Sequence, residues 1–182
     1  MKAFIFLATG FEETEALATL DVLRRGGIDA ASVSIMPEKE VRGAHGITAV
    51  ADVLFKDADF AAADILVLPG GMPGAANLQE HKKLGNLLTS FAEKKNRIAA
   101  ICAAPKVLGN LGILKGYNAT CYPGFENELT GAEVKKDAVV VDRNIITAKG
   151  PAFAIPFGLK IIELLKGKDA ASEVADGMLW NR

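Results

Sequence analysis

Three unbroken apolar runs constrain this chain more than any other feature. They are residues 3–8 (AFIFLA), 65–68 (ILVL) and 98–101 (IAAI), each followed directly by a turn. A strand with one wet face alternates apolar and polar residues, so an unbroken run reads as a strand covered on both faces. Between the runs lie segments of helical spacing. In residues 12–25 Ala16, Leu17, Leu20 and Leu23 recur at that spacing, and Gly26-Gly27 stops the helix. Residues 84–95 put Leu84, Leu87, Leu88 and Phe91 on one face, and a helix over 103–111 follows the third run. Residues 155–166 and 168–177 read as two closing helices. Residues 30–36, 119–122, 139–141 and 145–148 read as further strands, and 41–53, with Gly43 and Gly46, as a hairpin or bulged strands. Strand–helix alternation predicts an α/β fold, a mostly parallel central sheet with helices on both faces, in one domain over residues 1–182.

Such sheets bind ligands beyond the carboxyl ends of their strands. Residues 10–15, 69–74 and 102–105 therefore carry the interest. Composition narrows the chemistry. Half of the 182 residues are hydrophobic, enough for a core without disulfides or metal. Twenty-one Lys and Arg against 22 Asp and Glu leave no basic surplus for nucleic acid. No apolar run approaches the roughly 20 residues of a membrane span. The first run enters Gly10-Phe11-Glu12-Glu13 with no small-residue cleavage site, so it reads as the buried first strand of a cytoplasmic protein. Two cysteines and two histidines make neither a disulfide framework nor a His/Cys metal cluster, and no metal or cofactor is expected.

Cys102 falls at the turn from the third run into a helix. A thiol there faces free backbone N–H groups, which favour a thiolate and present donors for an oxyanion. Read alone, it is also an ordinary buried cysteine. Gly70-Gly71 in the turn after the second run lets backbone N–H groups approach a ligand closely. Glu12, Glu13 and Glu15 crowd the start of the first helix. One of them could face the sulfur, kept protonated by burial and like-charge repulsion. Spacing does not select it: Glu13 lies on the Ala16, Leu17, Leu20 stripe and Glu15 nearer its edge. His45 and Tyr122 are possible pocket walls, Cys121 reads as inert, and His81 as a surface residue.

Four ordered segments carry a resemblance over nearly the whole chain. They are FIFLA at 4–8 with GFEETE at 10–15, VLPGG at 67–71, AAICAAP at 99–105, and KGP at 149–151. They resemble the ThiJ/PfpI superfamily, whose fold is that of the class I glutamine amidotransferases. The likeness is closest to the branch holding the human Parkinson's-disease protein and bacterial YajL. The resemblance implies a flavodoxin-like three-layer sandwich and a homodimer, with Arg24 and Arg25 near its interface. It implies Cys102 as a reactive, readily oxidised cysteine, Glu15 as its protonated partner, and an anion pocket formed by Gly70, Gly71 and the Ala103 N–H. Tyr122 stands where the branch often has His, His45 where it often has Arg, and Lys149 replaces the Arg of Arg-Gly-Pro. Tyr122 would assist Cys102 and Glu15, while His45 and Lys149 would be pocket walls. Ala103 occupies the place where the protease-like branch carries His, which argues against a peptidase. The activity implied is of glyoxalase or deglycase type, on small reactive carbonyls or glycated adducts. The rival is a redox-sensing, chaperone-like stress protein without turnover.

Overall fold

The structure, a computed structural model, describes residues 1–180. Strand β1 (Lys2–Leu7) leads into helix α1 (Glu13–Arg25), and the chain returns as β2 (Asp29–Ser34), parallel to β1 with Phe6 opposite Val33. A hairpin of β3 (Glu40–Arg42) and β4 (Thr48–Val50) follows, then β5 (Val53–Leu54), which pairs with β2. The chain then crosses to the other side of β1. There it lays down β6 (Ile65–Leu68), α2 (Gly74–Glu80), α3 (Lys82–Glu93), β7 (Arg97–Ile101) and α4 (Pro105–Asn110). Strands β8 (Asn118–Ala119) and β9 (Glu133–Val134) form a separate parallel pair. β10 (Val139–Asp142) and β11 (Ile145–Ala148) complete the main sheet, and α5 (Ala154–Lys166) and α6 (Lys168–Gly177) follow. The order is β10-β11-β7-β6-β1-β2-β5, with only β10 antiparallel to its neighbour.

The apolar runs are buried on both faces, as their pattern predicts. Ala3, Ile5, Leu7, Val67 and Ile101 pack with Val22 and Leu23 of α1 and Phe157 and Ile161 of α5. Phe4, Phe6, Leu66, Leu68 and Ile98 pack with Leu84 and Leu88 of α3 and Val107 and Leu108 of α4. This is the flavodoxin-like three-layer arrangement. The strand order reverses at β1, which has β2 on one side and β6 on the other. The crevice for a ligand lies at the carboxyl ends of β1 and β6, where successive crossovers part to opposite sides.

Four local expectations are corrected. Leu17 is 40% exposed, whereas Glu13, Glu15, Ala16, Thr19, Val22 and Leu23 of α1 are buried. The buried face runs through Glu15, Thr19 and Val22, which leaves Leu17 outside it. Helix α5 packs closely on this face: a Cβ on Gly158 would lie 2.8 Å from Val22 Cγ1. Gly158→Ala should wedge these helices apart and lower stability by about 1–3 kcal/mol, read by urea denaturation. Second, residues 119–122 are not a strand: β8 ends at Ala119, and Tyr122 lies in a loop. Third, α4 starts at Pro105 rather than residue 103, since proline suits the first helical turn, where its missing N–H has no intrahelical partner. Fourth, α2 was not expected. Its seven residues, GAANLQE, show little amphipathic period, and no side chain caps its start.

Candidate active site

Cys102 directly follows β7 and has φ +64°, in the left-handed region that a residue with a Cβ occupies at a cost of about 1–2 kcal/mol. Its neighbours over-determine the turn. The Cys102 N–H donates to Ala148 O at 2.9 Å, and its carbonyl accepts the Tyr122 N–H at 2.8 Å. Cys102 is 7% exposed. The backbone N–H groups of Gly71 and Ala103 donate to its sulfur.

Three carboxylates at the start of α1 divide the work around it. Glu12 is the helix cap, its Oε2 accepting the Glu15 N–H at 2.6 Å. Glu13 holds the turn after β3: its Oε1 accepts the N–H groups of His45 (2.8 Å) and Ile47 (3.3 Å), and its Oε2 lies 2.9 Å from His45 Nδ1. Glu15, fully buried, turns to the sulfur. Its Oε2 accepts the Gly70 N–H at 2.8 Å, the carboxyl hydrogen-bonds the Cys102 thiol, and Oε1 has no N–H or O–H partner. Geometry thus selects Glu15 where spacing had left Glu13 open. It can do so because Glu15 shares a buried stripe with Thr19, a weakly apolar residue that hydropathy passes over.

The two glycines are needed for this approach. A Cβ on Gly70 would lie 2.6 Å from Cys102 Cβ and 2.8 Å from Glu15 Oε2. Gly71 has φ +86°, and a Cβ there would lie 2.3 Å from the Glu12 nitrogen.

Burial raises the Glu15 carboxyl to about 7, against the hydrogen bonds from Cys102 and Gly70 and with the help of Glu12's charge. Burial also pushes the Cys102 thiol up, to about 12, followed by the charge and hydrogen bond of Glu15; the Gly71 and Ala103 N–H groups pull it down. Position at a helix start therefore does not by itself lower this thiol, contrary to expectation: α4 begins three residues later and spans only six. The two groups act as one unit, losing a first proton near neutrality and a second in strong alkali.

Tyr122 reaches Cys102 through its backbone N–H. Its side chain is 47% exposed and packs on Gly150, where a Cβ would lie 3.1 Å from Tyr122 Cδ2. Lys149 joins Tyr122, Pro151 and Phe153 around a cleft of about 200 Å³. His45 is a largely exposed residue of the Glu13-held turn, and Glu13's hydrogen bond and charge raise its pKa. Cys121 is buried, and burial pushes it to about 11. His81 is half-buried and has a structural role: it caps α3, its Nδ1 accepting the Leu84 N–H at 3.1 Å, and its ring meets Phe55 edge-on at 4.8 Å. Arg24 pairs with Asp52 (2.7 Å) and Arg25 with Asp21 (2.6 Å). Sequence reasoning missed Lys106, which is buried on α4 with Nζ 5.8 Å from the Phe125 ring centroid. The signal available was a helix, PKVLGN, with no polar face to carry it. It also weighed only His and Cys as metal donors. The structure gathers Glu12, Glu13 and His45 with ligand atoms within 4.8 Å of one another, two carboxylates and an imidazole.

A family model for the DJ-1/PfpI family matches residues 1–164. The chain belongs to the DJ-1/PfpI family. The Arabidopsis thaliana protein named DJ-1 homolog A is 40% identical over 176 residues, covering 95% of this chain and 45% of that protein. This chain also matches 40% of the length of Arabidopsis DJ-1 homolog B, so it spans less than half of either relative. A Caenorhabditis elegans relative named glutathione-independent glyoxalase DJR-1.2 is 37% identical over 165 residues, covering 90% of this chain and 87% of that one. Among solved DJ-1/PfpI structures, oxidized Toxoplasma gondii DJ-1 superposes with a TM-score of 0.95 at 34% identity, over 100% of this chain and 99% of that one. No helix among the described residues is long and apolar enough to cross a membrane.

Proposed function

We propose that this chain is a cysteine-dependent, cytoplasmic enzyme of glyoxalase type, acting on small 2-oxoaldehydes or their early adducts. The observation that carries the reading is the buried Glu15 carboxyl hydrogen-bonded to Cys102, beneath two N–H groups aimed at the sulfur. The glyoxalase named in Caenorhabditis elegans supports the reaction class. In the reactive form Glu15 keeps the shared proton and Cys102 is the thiolate. Sulfur adds to the aldehyde carbon, and Glu15 gives its proton to the resulting oxygen, held by the Gly71 and Ala103 N–H groups. Glu15 then takes the proton from that carbon and returns it to the adjacent carbon, while the hydroxyl proton of the first oxygen passes to the second. The first carbon is oxidised and the second reduced, leaving a thioester of a 2-hydroxy acid. Water, losing a proton to Glu15, displaces the sulfur. The sum is 2-oxoaldehyde plus water to 2-hydroxy acid, with no external oxidant. Tyr122, Lys149 and His45 would shape the rim. A homodimer is part of the proposal, with Leu17 on α1 and Val50 on β4 as exposed apolar residues for the contact.

A second reading is favoured by the oxidized Toxoplasma neighbour: peroxide oxidises Cys102 to sulfenate, releasing water, and again to sulfinate, without turnover. Purified chain given methylglyoxal distinguishes the two. Lactate formed in molar excess over protein supports the enzyme. No lactate, together with a gain of two oxygens at Cys102 under limiting peroxide, selects the sensor.

A further inference from the structure

At the opposite end of β7 from Cys102, the start of that strand meets the turn between β10 and β11. Lys95, Arg97, Arg143 and Asn144 line a cleft there of about 400 Å³, a wall of three cations and one amide. Arg143 is fixed in place. Its guanidinium carbon lies 3.3 Å from the Tyr117 ring centroid, its Nε donates to Asp142 Oδ1 at 3.0 Å, and its Nη2 donates to Gly116 O at 2.7 Å, leaving Nη1 for a ligand. Asn144, buried, is braced by the Tyr117 hydroxyl (3.1 Å) and by Asn96 O (2.9 Å). Asp142 offsets Arg143, whereas Lys95 and Arg97 form no ion pair among the described residues.

The backbone adds a second observation. Lys95 has φ +60° and Arg143 φ +52°. Both cations occupy left-handed turn positions where glycine or asparagine is the relaxed choice. Lys95 closes the turn after α3, its N–H donating to Ala92 O at 3.0 Å, and Arg143 lies in the turn between β10 and β11, so both turns hold their cations at fixed points of one cleft wall.

We propose that this cleft binds a small phosphorylated molecule, with Arg97 and Arg143 engaging phosphate oxygens through their planar donor pairs and Lys95 adding a point charge. Guanidinium geometry matches phosphate, and the two uncompensated charges match a phosphate dianion. The volume falls in the range of small-molecule sites rather than that of a bare ion. Nucleic acid fits poorly. The chain as a whole has no basic surplus, and the one aromatic face present, Tyr117, is covered by Arg143.

Calorimetric titration of the full chain with inorganic pyrophosphate tests this, with sodium sulfate and a single-stranded RNA as separate arms. One pyrophosphate per chain is expected, weakened about tenfold or more in Arg97→Gln and in Lys95→Gly. Lys95→Gly removes the charge while relaxing the backbone, so loss of binding there does not come from unfolding. No pyrophosphate binding, or affinity unchanged in both variants, overturns the proposal. So does sulfate binding equally well, or RNA binding more tightly through the same residues. Cys102→Ser should bind pyrophosphate as the wild type does, which separates this site from the fate of the glyoxalase reading.

Discussion

Serine in place of Cys102 should lower conversion of methylglyoxal to lactate by about 10³-fold or more, the scale seen when a catalytic nucleophile is removed. The substitution is nearly isosteric, so the turn after β7, the Gly70 N–H bond to Glu15 and the N–H groups of Gly71 and Ala103 should persist. What changes is the nucleophile: a hydroxyl ionises far less readily than a thiol and attacks a carbonyl poorly without a strong base. Cys121 cannot substitute, because neither the Glu15 carboxyl nor the Gly71 and Ala103 N–H groups act on its sulfur. A chromatographic lactate assay on both proteins checks the result. Persistent turnover in Cys102→Ser would remove the sulfur from the mechanism.

Glu15→Gln should have two large effects. The first is on stability. The Glu15 carboxyl is raised from 4.5 to about 7 by burial. Its protonated form fits the fold, so its contribution is fully present below pH 4.5 and is lost as pH rises from there through 7. The loss is about 3 kcal/mol, and glutamine, which cannot ionise, avoids it. Urea melts should therefore coincide near pH 4 and separate by about 3 kcal/mol in favour of Glu15→Gln at pH 8. The second effect is on reactivity. Glu15's charge and hydrogen bond both raise the Cys102 thiol, so with glutamine in its place the thiol should ionise at lower pH and alkylation of Cys102 above pH 7 should speed up. Intact-mass kinetics with iodoacetamide measures this. An inflection that stays put in Glu15→Gln would break the link between the two groups.

The layers of the fold were legible because apolar runs on a parallel sheet are a strong signal. Residues 3–8, 65–68 and 98–101 could be little else, and the site had to lie just beyond them. The finer assignments depended on forces that linear spacing does not carry. Leu17 was expected inside and is outside because the buried face of α1 runs through Glu15 and Thr19, polar residues that a hydropathy pattern passes over. Glu15 was indistinct from Glu13 because their roles are fixed by partners distant in sequence, Gly70 and Cys102 for one and the turn at His45 for the other. The family resemblance named Glu15; the hydrogen bonds supply the reason. The ionisation of Cys102 was misjudged because a short run of helix was credited with more influence than burial.

Glu15 and the Gly70-Gly71 turn precede Cys102 in the chain, and β7 must dock beside β6 before the sulfur meets either. On the ribosome the acid and the glycine cradle emerge first. A nascent chain therefore carries an isolated thiol until β7 is in place. Acid, N–H donors and sulfur become one unit through the completion of folding rather than through synthesis of any one residue.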